Sequence, residues 1–190
     1  MMGVMTLLYL VRHGETLWSK SGQHTSYTDL DLTAHGEEQA LALRERLDPA
    51  DFGLVLCSPR RRAQRTAQLA GFENFEVEPN LAEWNYGDHE GLTSAEIREQ
   101  HHGWRIWFNG CPGGEDALAV RRRLTRVVDR VRQSGVERAI CFGHGHSSRV
   151  LALAWLDWPI IFGQSLPVDV ASVSMLGREK ESWAILRWNS

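Results

Sequence analysis

Leu7-Leu8-Tyr9-Leu10-Val11-Arg12-His13-Gly14-Glu15-Thr16 is the stretch on which the reading of the fold turns. Its apolar half reads as a buried strand from Thr6 to Arg12, and the charged half begins where that strand must end. In an open α/β sheet, ligands sit beyond the C-terminal ends of the strands. A guanidinium, an imidazole, a flexible glycine and a carboxylate therefore fall where chemistry is expected. A second apolar run, Arg138 to Phe142, leads into Gly143-His144-Gly145-His146 in the same way. A parallel sheet brings both histidine-bearing ends to one edge.

Around these two strands, helical and extended patterns alternate. Ser19 to Asp31 is polar and reads as a loop. Thr33 is the predicted N-cap of a helix with Glu37 and Glu38 in its first turns and Ala40, Leu43 and Leu47 at apolar spacing. Gly53 to Cys57 is a short strand. Ser58-Pro59 reads as the next helix start, serine as cap and proline at the first helical position. Ala63, Ala67 and Ala70 give that helix a small packing face. Phe75 to Val77 is a third strand, Leu81 to Gly91 an irregular stretch, and Thr93 to Gln100 a short helix. From Glu115 to Arg132, Val120, Leu124, Val127, Val128 and Val131 form an amphipathic stripe. Val150 to Leu156 is an apolar helix, and Val170 to Leu176 and Trp183 to Trp188 are two strands antiparallel to each other. The expected class is α/β: a three-layer α/β/α sandwich with a mainly parallel central sheet and an antiparallel edge.

The chain of 190 residues fits one domain, 1–190. A formal net charge of −3 supplies no global field toward nucleic acid or an anionic membrane. Three cysteines, Cys57, Cys111 and Cys141, are odd in number and lack metal-ligand spacing, which favours reduced thiols. Met1 to Leu10 has no basic segment, and its apolar run is too short for a signal peptide or membrane span. A cytoplasmic protein is expected, with no nucleic-acid or membrane partner. A homodimer contact near Trp155 and Trp158 is one reading of those tryptophans; simple burial is the other.

Two arginines, two imidazoles and a carboxylate suit phosphoryl transfer. A phosphoryl group spreads its charge over three oxygens, and catalysis is largely positioning and electrostatic stabilisation. Arg12 and Arg62 offer planar forks for those oxygens. Arg62 lies on the helix that starts directly after the second strand and can lean over the same edge. His13, neutral, is the expected nucleophile. His144, as the cation, is expected to steady the transferring oxygens. Glu83 is the expected acid and then base. Arginines here take the charge-neutralising task of a metal ion, so no metal and no cofactor is expected.

In order, Arg12-His13-Gly14-Glu15-Thr16, Leu32-Thr33-Ala34-His35-Gly36-Glu37-Glu38-Gln39-Ala40, Ser58-Pro59-Arg60-Arg61-Arg62-Ala63, Leu81-Ala82-Glu83-Trp84-Asn85-Tyr86-Gly87, Pro112-Gly113-Gly114-Glu115 and Gly143-His144-Gly145 resemble the histidine phosphatase superfamily, which includes the cofactor-dependent phosphoglycerate mutases. That resemblance implies a phosphoglycerate mutase-like fold, with His13 as the phosphorylated residue and Arg12, Arg62, Glu83 and His144 in the other family roles. Trp18-Ser19-Lys20-Ser21-Gly22-Gln23-His24-Thr25 and Gly143-His144-Gly145-His146 resemble the sedoheptulose-1,7-bisphosphatase type. By that likeness Ser19, Thr25, Ser26, Trp84, Tyr86, Gly145 and His146 line the substrate site, and the partner is a small phosphorylated metabolite such as a sugar phosphate. A phosphoglycerate mutase is the enzymatic alternative, and a binding module without turnover the alternative of another class; retention of all five catalytic residue types argues against the latter.

Plainer readings attach to other motifs. Arg60, Arg61 and Arg65 read as surface residues and Arg121-Arg122-Arg123 as the wet side of a helix. His101-His102 reads as exposed, and Ser147-Ser148 as the cap of the following helix. Trp104, Trp107, Trp155, Trp158, Trp183 and Trp188 read as core or pocket lid.

Overall fold

Side-chain alternation along the strands assigns each helix to one face of a single sheet. The computed structural model describes residues 6–190, so the reading of Met1 to Met5 lies outside the described residues. Strand β1 (Leu7–Arg12) is followed by a short helix α1 (Leu17–Ser21), helix α2 (Ala34–Ala42), strand β2 (Leu54–Cys57), helix α3 (Arg61–Leu69) and strand β3 (Glu76–Val77). Short helices α4 (Ser94–Gln100) and α5 (Ile106–Asn109) precede the long helix α6 (Ala117–Gln133) and strand β4 (Arg138–Gly143). Helix α7 (Gly145–Leu156) and the hairpin of β5 (Val173–Glu179) and β6 (Ser182–Arg187) complete the chain.

The six-stranded sheet runs β3-β2-β4-β1-β5-β6. Strands β3, β2, β4 and β1 are parallel, whereas β5 pairs antiparallel to β1 and to β6. Successive residues of a strand point to opposite faces. Leu8, Leu10, Leu56, Ala139 and Cys141 therefore pack against Val120, Leu124 and Val128 of α6 and Val150 and Leu151 of α7. On the opposite face, Val11, Cys57, Ile140 and Phe142 meet Ala63 and Ala67 of α3, Leu43 and Phe72. The result is the expected three-layer α/β/α sandwich. Ala63, Ala67 and Ala70 are all at 0% exposure, so the small face of α3 lets it lie close to the sheet.

Several local expectations need correction. Part of the expected loop from Ser19 is helical: Thr16 caps α1, and Ser19 completes a reciprocal capping box with it. Helix α3 begins at Arg61 with Arg60 as N-cap, not at Ser58-Pro59. Helix α7 begins at Gly145 rather than Val150, because His144 takes an extended N-cap conformation (φ −134°) and the glycine occupies the first helical turn instead of breaking it. Ser147 and Ser148 thus lie inside the helix and do not cap it. The hairpin strands start and stop a few residues from the expected bounds, as frayed ends do.

Trp155 and Trp158 do not form an exposed pair. Trp155 is at 0% exposure against Trp183, whose ring also carries the Arg132 guanidinium at 3.8 Å. Trp158 is 51% exposed beside Phe162, outside the core. Arg122 is exposed as expected, but Arg121 and Arg123 turn back onto the protein. All three cysteines are buried. Burial pushes the Cys57 and Cys141 thiols far above their ordinary range and Cys111 up to about 12. Among the described residues no helix is long and apolar enough to cross a membrane.

Candidate active site

The parallel pairing of β1 with β4 sets Arg12 opposite Gly143, so His13 and His144 leave the sheet side by side. Their ring centroids lie 5.2 Å apart at an interplanar angle of 63°. His13 Nδ1 lies 2.8 Å from the Gly14 carbonyl. A carbonyl only accepts, so Nδ1 carries the proton and Nε2 is left with the lone pair. Burial, reinforced by Arg62 and Arg12, holds the His13 pKa well below the ordinary imidazole value. The ring is therefore neutral and fixed in one tautomer.

His144 is fully buried and shares a 2.7 Å hydrogen bond between its Nε2 and Ser58 Oγ. In the protein alone its surroundings oppose the cation. Burial first, and then Arg62 and His13, push its pKa well below the ordinary value. An anion beside the ring would reverse the sign of that local field.

Arg62 sits in the first turn of α3 at 0% exposure. Its Nη1 donates to Thr28 O at 3.1 Å, and its Nη2 to Thr25 O at 3.1 Å and Ser26 O at 3.4 Å. Arg12 is half-buried, with Nη1 donating to Val168 O at 2.6 Å. In both, Nε is buried with no hydrogen-bond partner among the described residues. Burial draws both guanidinium pKa values down, with Glu83 acting in the opposite sense. Gly14 lets this corner close: a Cβ there would stand 2.3 Å from Gly36 O, at the start of α2. The glycines of the Arg-His-Gly and Ala-His-Gly runs thus meet backbone to backbone.

Glu83 reaches the same edge from the segment after β3. Its Oε1 accepts from the N–H of Trp84 at 2.8 Å and of Ser147 at 2.7 Å, and its Oε2 from the N–H of His146 at 3.0 Å. Two of these donors, His146 and Ser147, are first-turn amides of α7. Tyr86 OH and His146 Nδ1 share a 2.8 Å hydrogen bond on the adjoining wall. Burial, then Glu83, pushes the phenol well above its ordinary range, and burial, then Arg149, pushes the imidazole well below its own. A cavity of about 150 Å³ opens among Arg12, His13, Glu83, Tyr86, His146 and Arg149. Two guanidinium forks, Arg12 and Arg149, the His13 imidazole and the Glu83 carboxyl group converge on one small polar space.

The model of the histidine phosphatase superfamily (branch 1) matches residues 8–190. The chain belongs to that superfamily. An acid phosphatase of Mycobacterium tuberculosis is 40% identical over 175 residues, covering 90% of this chain and 86% of the relative. The sedoheptulose 1,7-bisphosphatase of Saccharomyces cerevisiae is 34% identical over 178 residues, covering 77% of this chain and 66% of the relative. The solved structure of a Mycobacterium tuberculosis open reading frame product superposes with a TM-score of 0.92 at 36% identity, over 97% of each chain.

Within this histidine phosphatase the predicted residues separate. Arg12, His13 and Glu83 border the cavity, while Arg62 and His144 lie buried beside it. Ser19, Thr25, Tyr86, Gly145 and His146 line it. Trp84 and Ser26 do not. Trp84 is at 0% exposure with its Nε1 donating to Glu115 O at 2.9 Å, and Ser26 directs its hydroxyl to Glu90. Both serve the scaffold behind the wall. Reading the sequence missed Arg149, His24, Gln23 and Gly22 in the lining and Ser58 behind His144. Arg149 was signalled weakly: it lies one turn beyond Gly145, on the same side of α7. Ser58 carried no local signal, because its partner is 86 residues away.

Proposed function

We propose that the protein is a metal-independent phosphomonoesterase of the cytoplasm acting on small phosphorylated metabolites, sugar phosphates and bisphosphates foremost. The observation that carries this reading is the His13 ring, neutral and locked by Gly14 O, at the mouth of a cavity bordered by arginine. In the first step His13 Nε2 attacks phosphorus, and the bond from phosphorus to the ester oxygen breaks. Arg12 and Arg62 take the phosphoryl oxygens, and Glu83 gives its proton to the departing alkoxide. His144 stands beside the transferring group and supports it once the incoming anion has raised its proton affinity. In the second step Glu83 removes a proton from water, the oxygen attacks phosphorus, and the bond from phosphorus to nitrogen breaks. His13 returns to its neutral form and inorganic phosphate leaves. Cavity size favours small esters, and Arg149 on the same wall favours substrates with a second anionic group.

The test is phosphate release by the purified protein in EDTA, across phosphorylated sugars and 3-phosphoglycerate. Release from a sugar phosphate or bisphosphate is expected, with His13→Ala lowering kcat by on the order of 10³ or more. Isomerised phosphoglycerate without net phosphate release would replace this reading with a mutase. Activity retained at more than a few per cent in His13→Ala would remove His13 as nucleophile.

A further inference from the structure

One arginine on α6 is folded inward. The Arg123 side chain is only 14% exposed. All five of its N–H donors are engaged. Nε and Nη2 grip Glu115 at 2.7 and 2.9 Å as a bidentate pair. The remaining donors go to main-chain carbonyls: Nη1 to Asn80 and Ala82, each at 2.7 Å, and Nη2 to Glu83 at 3.0 Å. Those carbonyls belong to the segment that delivers Glu83 to the cavity.

Glu115 grips the same segment from its other side. Its Oε2 accepts from the Asn85 N–H at 2.9 Å, its carbonyl from Trp84 Nε1 at 2.9 Å, and its own N–H donates to Asn85 O at 2.9 Å. The contact depends on bare backbone. A Cβ on Gly87 would stand 2.1 Å from Pro112 O, and one on Gly114 would stand 2.2 Å from Asn85 O. Pro112-Gly113-Gly114-Glu115 and the Glu83 segment therefore form one strapped unit, closed by Arg123.

We propose that Arg123, locked by Glu115, is the positioning residue of Glu83, fixing the main chain from which that carboxylate reaches the phosphoryl site. The proposal rests on the reading of Glu83 as the acid. Arg123 itself touches no reacting atom. The Glu83 carboxylate is placed by amides of α7, and its backbone is placed by Arg123. A group misplaced by about 1 Å loses on the order of 10²-fold in rate.

Two substrates that differ in leaving group separate this role from a general loss of structure. A simple alkyl phosphate needs its alkoxide protonated, whereas p-nitrophenyl phosphate releases a stable phenolate without help. The measured quantity is kcat/KM, which reports the phosphorylation step. Glu83→Gln is the reference: it should lose about 10²–10⁴-fold on the alkyl ester and far less on the aryl ester. Arg123→Ala should show the same selective loss, on the order of 10–10²-fold, with guanidinium in the buffer restoring part of it. Arg123→Lys should not restore it, since one ammonium cannot span three carbonyls and a carboxylate.

Equal losses on both esters, or no loss, in a folded Arg123→Ala protein would overturn the proposal. If Glu83→Gln itself ignores the leaving group, the acid assignment has failed and the positioning role falls with it. Should Arg123→Ala not fold, Glu115→Gln keeps the shape of the lock while weakening its charge. It should lose several-fold on the alkyl ester alone, and an equal loss on both esters would again reject the role.

Discussion

Arg62 and Arg123 are both folded into the protein, at 0% and 14% exposure, and use their donors in opposite ways. Arg123 has a bidentate carboxylate and three carbonyls, so its charge is neutralised inside the fold. Arg62 holds only carbonyls, and its Nε has no hydrogen-bond partner among the described residues. Its charge is felt instead by His13 and His144, whose proton affinities it lowers. A buried charge without a partner is costly, and an anion bound beside it returns part of that cost. An arginine neutralised by the fold has its charge and donors committed to the framework, whereas one left under-bonded keeps both available to an anion.

Substitution of Arg62 gives the largest effect expected from this contrast. Arg62→Ala should lower kcat/KM by about 10²–10³-fold in steady-state assays, and Arg62→Lys should recover little of it. A drop within twofold would mean that Arg62 takes no part in the reaction. Binding without turnover sharpens the point. At a concentration near 100 times its dissociation constant, orthovanadate should stabilise the wild-type protein by about 2.7 kcal/mol in thermal melts. The same addition should leave Arg62→Ala almost unmoved.

Acid stability should also report the site side of the comparison. Burial lowers the His24 pKa to about 4 from its ordinary 6.5. Between these values the unfolded chain takes up a proton that the folded chain refuses. The stability held above about pH 6.5 is therefore lost as pH falls toward 4, by about 3 kcal/mol from this residue. His13, His144 and His146 shift in the same direction. Denaturant melts from pH 7 to pH 4 should show a steep decline that His24→Gln makes shallower; an unchanged slope would move its origin elsewhere. A smaller effect is expected from Arg149→Ala, about tenfold in KM for a bisphosphate with kcat nearly kept. Arg122→Ala, beside Arg123 but exposed, should stay within about 0.5 kcal/mol of wild type in stability.

What the sequence made legible follows the range of the forces involved. His13 and His144 were readable because each directly follows an apolar strand, and parallel pairing places such ends together. The capping role of Thr33 was readable within a few residues, and its side chain does accept from the Gly36 N–H at 3.0 Å. Arg123 was misread because helical spacing near Arg121 and Arg122 says nothing about a carboxylate on the preceding turn that faces inward. Trp84 and Tyr86 are two residues apart, yet one is sealed behind the wall and the other lines it. That choice depends on Glu115 and His146, which only the fold brings near. The start of α7 was misplaced because only Val150 to Leu156 carries an apolar pattern, whereas its first turn, Gly145 to Ser148, is small or polar. Arg12 packs at that turn, where a Cβ would lie 3.5 Å from its Cζ.

The three thiols sealed in the core bear on the conditions under which the protein can work. Alkylating agents and peroxide react with thiolate, and burial pushes all three thiols toward the protonated form. The group read here as the nucleophile is a ring nitrogen, on a different oxidation ladder from sulfur. Dephosphorylation by this chain should therefore continue through an oxidative burst that silences enzymes dependent on an exposed cysteine.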